Sequence, residues 1–250
     1  MMMERRCQDF LDTLQESSHS TKQAIGLIDL TLLDESASDD ALASLLDKAR
    51  QHKVAAVCVY PQHLHYFPVS ESYQRATVVN FPEGTQGLNT VLHDIGQIIS
   101  SQQTDEIDYV FPWQSWLNGQ QKEALQHCRE ACDLSHQGNM VFKVIMETGA
   151  LPSADHIYQL SQELIQLGCD FLKTSTGKTG SGASPLAAFS MLQAIRQENT
   201  SHCGIKLSGG IKKPEQAFLY MDMARELLQR EPDKSWFRLG ASSLLDELLD

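Results

Sequence analysis

Three lysines and a group of acids, all placed in short apolar runs, are the residues of this chain that could do chemistry. Lys143 sits inside Met140-Val-Phe-Lys-Val-Ile-Met146, Lys173 ends Asp170-Phe-Leu-Lys173, and Lys206 lies in Gly204-Ile-Lys-Leu207. An ammonium group in a buried apolar run is costly unless it is paired or its pKa falls. A lysine whose pKa falls toward neutrality is a nucleophilic amine, able to form a Schiff base with a carbonyl compound. If the three runs are neighbouring strands, about 4.8 Å apart, their ammonium groups repel and each makes the next easier to deprotonate. Asp108, in Glu106-Ile-Asp-Tyr-Val110, offers a carboxylate for moving protons. The structural alternative is a set of buried ion pairs that fix strand register. These residues alone leave open whether Lys173 or Lys206 is the nucleophile.

A second pattern suits an anion. Lys173 is followed by three hydroxyl residues, Thr174, Ser175 and Thr176, then Gly177 and Lys178. Gly209-Gly210 follows the Lys206 run, and Gly240-Ala-Ser-Ser243 precedes a short apolar helix. Glycines let a ligand approach the backbone, and free N–H groups at a helix start attract a phosphate. Ser242 and Ser243 add donors, although a serine before a helix is also an ordinary cap. Asp29, Thr31, Cys58, Asn80 and Glu147 lie at or near the ends of further apolar runs. Together they suggest a small phosphorylated carbonyl substrate and an amine nucleophile. A cofactor-free isomerase with Glu147 as base is the competing enzyme class, and a barrel that only binds a phosphorylated ligand is the third reading. Cys128, Cys132 and His136 share one helix face, but their spacing is not that of a zinc site and they read as a packed face. His63 and His65 read as a loop surface.

The elements that would position these residues alternate. Strands are expected over 24–33, 54–60, 76–80, 106–110, 140–146, 171–173, 204–207 and 236–239. Helices are expected over 38–52, 88–101, 119–136, 153–168, 185–197, 214–230 and 244–249. Val54-Ala-Ala-Val-Cys-Val-Tyr60 is apolar throughout, as in a parallel strand buried on both faces. Eight strand-then-helix units in 250 residues predict an α/β fold, a (β/α)8 TIM barrel. An open sheet of six or seven units is the alternative. Arg5 to Glu16 predicts a short amphipathic helix within an N-terminal extension over 1–20, and the expectation is one barrel domain over 1–250. In such a barrel the active site lies at the C-terminal ends of the strands, and phosphate binds after strands seven and eight.

Composition bounds the rest. A net charge of −12 argues against a nucleic-acid or anionic-membrane partner. No apolar run reaches the roughly 18 residues of a membrane span, and Met1-Met-Met-Glu-Arg-Arg-Cys7 lacks the apolar core of a signal peptide. Six scattered cysteines fit reduced thiols in the cytoplasm. The oligomeric state is left open, and a homodimer is compatible with the sequence.

Taken in order, Asp29-Leu-Thr31, Val57-Cys-Val-Tyr-Pro61, Asn80-Phe-Pro82, Asp108-Tyr-Val-Phe-Pro112, Lys143-Val-Ile-Met-Glu-Thr-Gly149, Lys173-Thr-Ser-Thr-Gly177, Gly204-Ile-Lys-Leu-Ser-Gly-Gly210 and Gly240-Ala-Ser-Ser243 resemble the deoxyribose-phosphate aldolase family. The resemblance runs from about Ala24 to the C-terminus. It implies a carbon–carbon lyase on a (β/α)8 barrel that cleaves 2-deoxy-D-ribose 5-phosphate to glyceraldehyde 3-phosphate and acetaldehyde, in deoxyribose phosphate catabolism, with no cofactor and no metal. It further implies Lys173 as the Schiff-base lysine, Lys206 as the cation that lowers its pKa, and Asp108 as the proton-relay carboxylate. Thr176, Gly177, Lys178, Gly209, Gly210, Ser242 and Ser243 would surround the phosphate, with Asp29, Thr31, Cys58 and Lys143 in support. Leu207-Ser208 and Lys212 stand where the family often has Pro-Ala and Arg. Some members end in a tail whose terminal Tyr reaches the site; this sequence ends at Leu248-Leu-Asp250, and slow turnover is the expectation.

Overall fold

The computed structural model describes residues 2–70, 72–199 and 202–250. Eight strands run in chain order: β1 (Ile28–Leu32), β2 (Ala56–Val59), β3 (Gln74–Val79), β4 (Glu106–Val110), β5 (Val141–Ile145), β6 (Phe171–Lys173), β7 (Gly204–Ser208) and β8 (Phe237–Ala241). Each pairs in parallel with the next, and β8 returns to β1, so the sheet closes into a barrel. The helices are α1 (Met2–Leu11), α2 (Thr21–Ile25), α3 (Asp39–His52), α4 (Leu88–Ser101), α5 (Trp113–Leu117), α6 (Gln121–Gln137), α7 (Ala154–Leu167), α8 (Pro185–Glu198), α9 (Pro214–Leu228) and α10 (Leu244–Leu249).

Local chemistry explains where helices start. Ser38, Ser153 and Ser184 each accept a hydrogen bond from the backbone N–H three residues on, at Ala41, His156 and Ala187. Such a cap is worth about 1 kcal/mol. In α4 the buried residues are Val91, Ile95 and Ile98, at helical spacing, and each is worth about 1.5–3 kcal/mol on burial. The larger core lies between strands and helices, whereas Ala56, Cys58, Ala76 and Val78 form a separate small cluster on β2 and β3. Small side chains on that side leave the barrel interior to the charged groups of the other strands.

Several expected boundaries shift, among them the N-terminal helix, which spans Met2–Leu11 and not Arg5 to Glu16. Ala24 and Ile25 belong to α2 and not to the first strand. Ser20 and Gln23 form a capping box there, with Gln23 N donating to Ser20 Oγ at 3.3 Å and Ser20 N donating to Gln23 Oε1 at 2.8 Å. The helix expected to start at Gly119 begins instead at Gln121, and a separate turn, α5, precedes it. Gly119, at φ +88°, breaks the chain between them. The seventh strand, short in the sequence, has five buried residues. His63 is buried in a short 3-10 helix, Pro61–Tyr66, its Nε2 3.1 Å from the carbonyl of Asp34, so it is not surface. Phe10 of α1 packs on Phe189 of α8, ring centroids 5.5 Å apart, which lays the N-terminal helix against the side of the barrel. Among the described residues no helix is long and apolar enough to cross a membrane.

Candidate active site

Register brings the charged residues of six strands into one cluster. Asp108 lies opposite Lys143, Lys173 opposite Lys206, and Lys206 opposite Arg238. Lys173 is also level with Ile145, two residues beyond Lys143, so Lys143 sits one layer deeper. Asp108 is the hub. Its Oδ1 accepts from Lys143 Nζ at 2.8 Å, and its Oδ2 accepts from both Lys173 Nζ and Lys206 Nζ at 2.6 Å. Lys206 Nζ also contacts Asp29 Oδ2 at 2.6 Å, and Lys143 Nζ contacts Glu106 Oε2 at 2.6 Å. Arg238 joins the far ends, with Nη1 2.7 Å from Asp29 Oδ1 and Nη2 2.8 Å from Glu106 Oε1.

These contacts close a ring of alternating sign: Arg238, Asp29, Lys206, Asp108, Lys143, Glu106 and back to Arg238. Three cations face three carboxylates. Lys173 hangs from Asp108 outside the ring, and it is the member of the cluster that reaches the cavity above. Glu106 and Arg238 were not expected in the site. The available signal was parity: Glu106 is two residues before Asp108 and Arg238 two before Gly240, so each faces the same side as its site neighbour.

Electrostatics separates the amines. Burial pulls the Lys173 amine below its ordinary value; Asp108 opposes this and Lys206 adds to it. Desolvation is therefore the larger cause and the neighbouring ammonium the lesser, a refinement of the role expected for Lys206. Burial acts on Lys143 and Lys206 too, but the carboxylates outweigh it and both amines are raised. For Asp108 and Asp29 burial works upward, and the surrounding cations overcome it and hold both below the usual carboxylate range. Burial, then Asp108, pushes the Cys58 thiol up to about 11; its Sγ is 4.0 Å from Asp108 Oδ2, a neutral wall and not a nucleophile.

Above Lys173 a cavity of about 360 Å³ opens at the C-terminal ends of the strands. Thr31, Thr176, Gly177, Lys178, Gly209, Gly210, Ser242 and Ser243 line it, so the residues expected around a phosphate are brought together, and Asp34 and Lys212 join them. Lys206, Asp108, Lys143, Asp29 and Cys58 lie beneath, fully buried. Thr31 Oγ1 donates to the carbonyl of Asp29 at 2.9 Å, which leaves its part in the cavity to shape. Gly177, Gly209 and Gly210 all have positive φ, between 77° and 86°. A Cβ on Gly182 would come 2.0 Å from the carbonyl of Gly209, so the loop after β6 rests directly on the loop after β7. Lys178 Nζ donates to the carbonyl of Leu33 at 2.6 Å, spanning from β6 to β1 across the cavity. Ser243 precedes α10 without capping it through its side chain.

Glu147 and Asn80, candidates by position, serve the loops. Glu147 accepts from Thr176 Oγ1 at 2.6 Å, from Thr176 N at 3.2 Å and from Thr179 Oγ1 at 3.1 Å. Asn80 donates to the carbonyl of Val110 and accepts from Gln86 N, each at 2.8 Å. On α6, Cys128 and Cys132 are buried and His136 Nε2 meets Asp170 Oδ2 at 2.8 Å, a packed face with a hydrogen bond at its end.

The same fold and sequence pattern occur in known proteins. A structure provisionally described as deoxyribose-phosphate aldolase, from Coccidioides immitis, superposes with a TM-score of 0.80 at 23% identity, covering 99% of this chain and 96% of that one. The deoxyribose phosphate aldolase from Aeropyrum pernix, described as tetrameric, superposes with a TM-score of 0.76 at 21% identity, covering 97% and 95%. An aldolase designated QR15 superposes at 0.78 with 21% identity, covering 90% and 94%. At these identities the likeness speaks for the barrel. The sequence profile of the DeoC/LacD family aldolases matches residues 9–246, nearly the whole chain, and the protein belongs to that family.

Proposed function

We propose that this protein is a class I aldolase that cleaves 2-deoxy-D-ribose 5-phosphate to D-glyceraldehyde 3-phosphate and acetaldehyde through a Schiff base on Lys173. The observation that carries this reading is the position of Lys173: the one amine of the cluster that meets the cavity is also the one whose proton is loosened. The structural relatives from Coccidioides immitis and Aeropyrum pernix, described as deoxyribose-phosphate aldolases, support the same substrate.

Neutral Lys173 Nζ adds to the C1 aldehyde of the open-chain sugar, and loss of water leaves an iminium ion. Acetaldehyde carries C1 and C2, so the bond that breaks is C2–C3. Its electron pair forms the C1–C2 double bond of an enamine as the iminium π pair moves onto nitrogen and cancels its positive charge, and the C3 hydroxyl loses its proton and becomes the aldehyde of glyceraldehyde 3-phosphate. Protonation of the enamine at C2 and hydrolysis return acetaldehyde and the free amine. Asp108, in contact with both Lys173 and Lys206, is placed to relay these protons, through water at the substrate end. Gly177, Gly209 and Gly210 with Ser242, Ser243 and Lys178 would hold the phosphate at the other end of the cavity, where backbone N–H groups and an ammonium suit an anion.

The test is borohydride trapping with deoxyribose 5-phosphate or acetaldehyde, read by intact and peptide mass spectrometry. A reduced adduct on Lys173 is expected. An adduct on Lys206 or Lys143 would retain an aldolase and overturn the assignment. No adduct on a folded, ligand-bound protein would sink the imine mechanism.

A further inference from the structure

Glu106 and Arg238 take no part in the bond changes described above, yet both are buried at the deep end of the barrel, where an unpaired charge is expensive. They meet at 2.8 Å and complete the ring: without them Asp29 and Lys143, 3.7 Å apart, would have only each other on that side. Arg238 is held from the other side as well, its Nε donating to the carbonyl of Lys234 and its guanidinium carbon 5.6 Å from the Phe171 ring centre. With the ring closed, three carboxylates balance three cations, and a proton on Lys173 has no carboxylate of its own.

Resting on the reading of Lys173 as the imine-forming amine, we infer that Arg238 and Glu106 are positioning residues that set the proton count of the barrel, so that Lys173 is the group left neutral. The groups facing Lys173 are Asp108 from β4, Lys206 from β7 and the Cys58 thiol from β2, with Lys143 on β5 and Asp29 on β1 behind them. Lys178, Lys212 and Asp34 stand around the cavity mouth. Arg238 faces Asp29 on β1 and Glu106 on β4, and Lys206 is its register partner on β7. Lys143 and Lys206 hold their protons tightly and the aspartates stay ionised, so Lys173 is the first group to respond when the ring gains or loses charge. Removing the Arg238 charge leaves a surplus carboxylate and draws a proton onto Lys173. Removing the Glu106 charge leaves a surplus cation and drives the proton off.

The experiment is the rate of cyanoborohydride trapping of acetaldehyde on Lys173, measured across pH and assigned by peptide mass spectrometry. Arg238→Gln is expected to move the acid limb to higher pH and slow trapping at fixed pH on that limb by about tenfold, the size of one unit charge acting from roughly 12 Å at an effective dielectric of about 20. Glu106→Gln is expected to move it to lower pH and raise the rate by a similar factor. The double variant and Arg238→Lys, which restore or keep the balance, should stay within about threefold of the parent. A merely structural role would loosen and wet the barrel; because burial is what chiefly lowers Lys173, both single variants would then shift to higher pH. Shifts of the same sign, or no shifts, overturn the inference. If Arg238→Gln does not fold, Glu106→Gln decides it by its shift to lower pH, and Arg238→Lys by the absence of a shift. Absence of a Lys173 adduct in the unsubstituted protein overturns the aldolase reading as well, whereas a normal adduct without opposed shifts overturns this inference alone.

Discussion

Replacing Lys206 by Met removes one charge and keeps most of the side-chain volume. The nitrogens of Lys206 and Lys173 each lie 2.6 Å from Asp108 Oδ2, so they are no more than about 5.2 Å apart. Two like charges at that distance repel by about 3 kcal/mol at an effective dielectric of about 20, on the order of a hundredfold in the fraction of neutral amine. Loss of Lys206 also frees Asp108 to hold the Lys173 proton more strongly, which acts in the same direction. Burial of Lys173, the larger cause of its lowered basicity, is left in place. The fold should survive better than most losses of a buried charge, because protonated Lys173 can replace Lys206 beside Asp108, while Arg238 still covers Asp29. Cyanoborohydride trapping of acetaldehyde, followed from low to high pH, should therefore show a rate about a hundredfold lower on the acid limb, a midpoint moved to higher pH, and recovery in alkali. A Lys206→Met rate within about threefold of the parent on that limb would refute the electrostatic argument. So would a loss that does not recover as the pH rises, which would place Lys206 in proton transfer alone.

Other expectations follow from the same geometry. Asp108→Asn leaves three amines around a neutral amide. Urea unfolding should show a loss of about 3–5 kcal/mol, and exchange of deuterium into acetaldehyde should slow by about 10²–10⁴-fold. Gly182→Ala puts a Cβ 2.0 Å from the Gly209 carbonyl and must push the two loops apart. KM for deoxyribose 5-phosphate should rise about tenfold, roughly 1.4 kcal/mol, while trapping of acetaldehyde on Lys173 stays near normal; an equal loss of both would place the effect at the amine and not at the phosphate. Stability should fall in acid. Asp29 and Asp108 have folded pKa values below their ordinary 3.8, so their contribution is present above that pH and is lost as pH falls through and below it. Urea midpoints measured from pH 5 to pH 2 should decline, most steeply below about pH 4, and a flat profile would contradict the buried pairing.

The ring is a poor device for stability alone. Buried ion pairs repay their desolvation only with full mutual contact, and an apolar replacement of similar volume is often at least as stable. Seven charged side chains inside one barrel, each with a partner within 2.9 Å, make better sense as a means of fixing where protons sit. The small residues of β2 and β3 leave the interior volume such a cluster needs, and Gly240 has the same role. A Cβ there would lie 3.1 Å from Lys206 Cε and 2.8 Å from Ser208 Cβ.

Local signals in the sequence determined the elements and much of the site. Alternating apolar strands and capped helices are local, and so Ser38, Ser153 and Pro185 marked helix starts that the structure keeps. Barrel closure follows from counting eight such units, and the strand ends then collect Lys173, Thr176, Gly177, Lys178, Gly209, Gly210, Ser242 and Ser243 around one cavity. The capping box at Ser20 and the break at Gly119 were legible but outweighed by neighbouring apolar residues. What only the tertiary structure decided is which charges touch. Register one residue off would turn each strand's side chains to the other face, and Glu106 and Arg238 look like ordinary strand-end charges until Asp29 and Lys143 are brought beside them. The difference between Lys173 and Lys206 is of the same kind. Both are inward lysines in short strands, and they part because one faces the cavity with a share of a single carboxylate, while the other is locked between two.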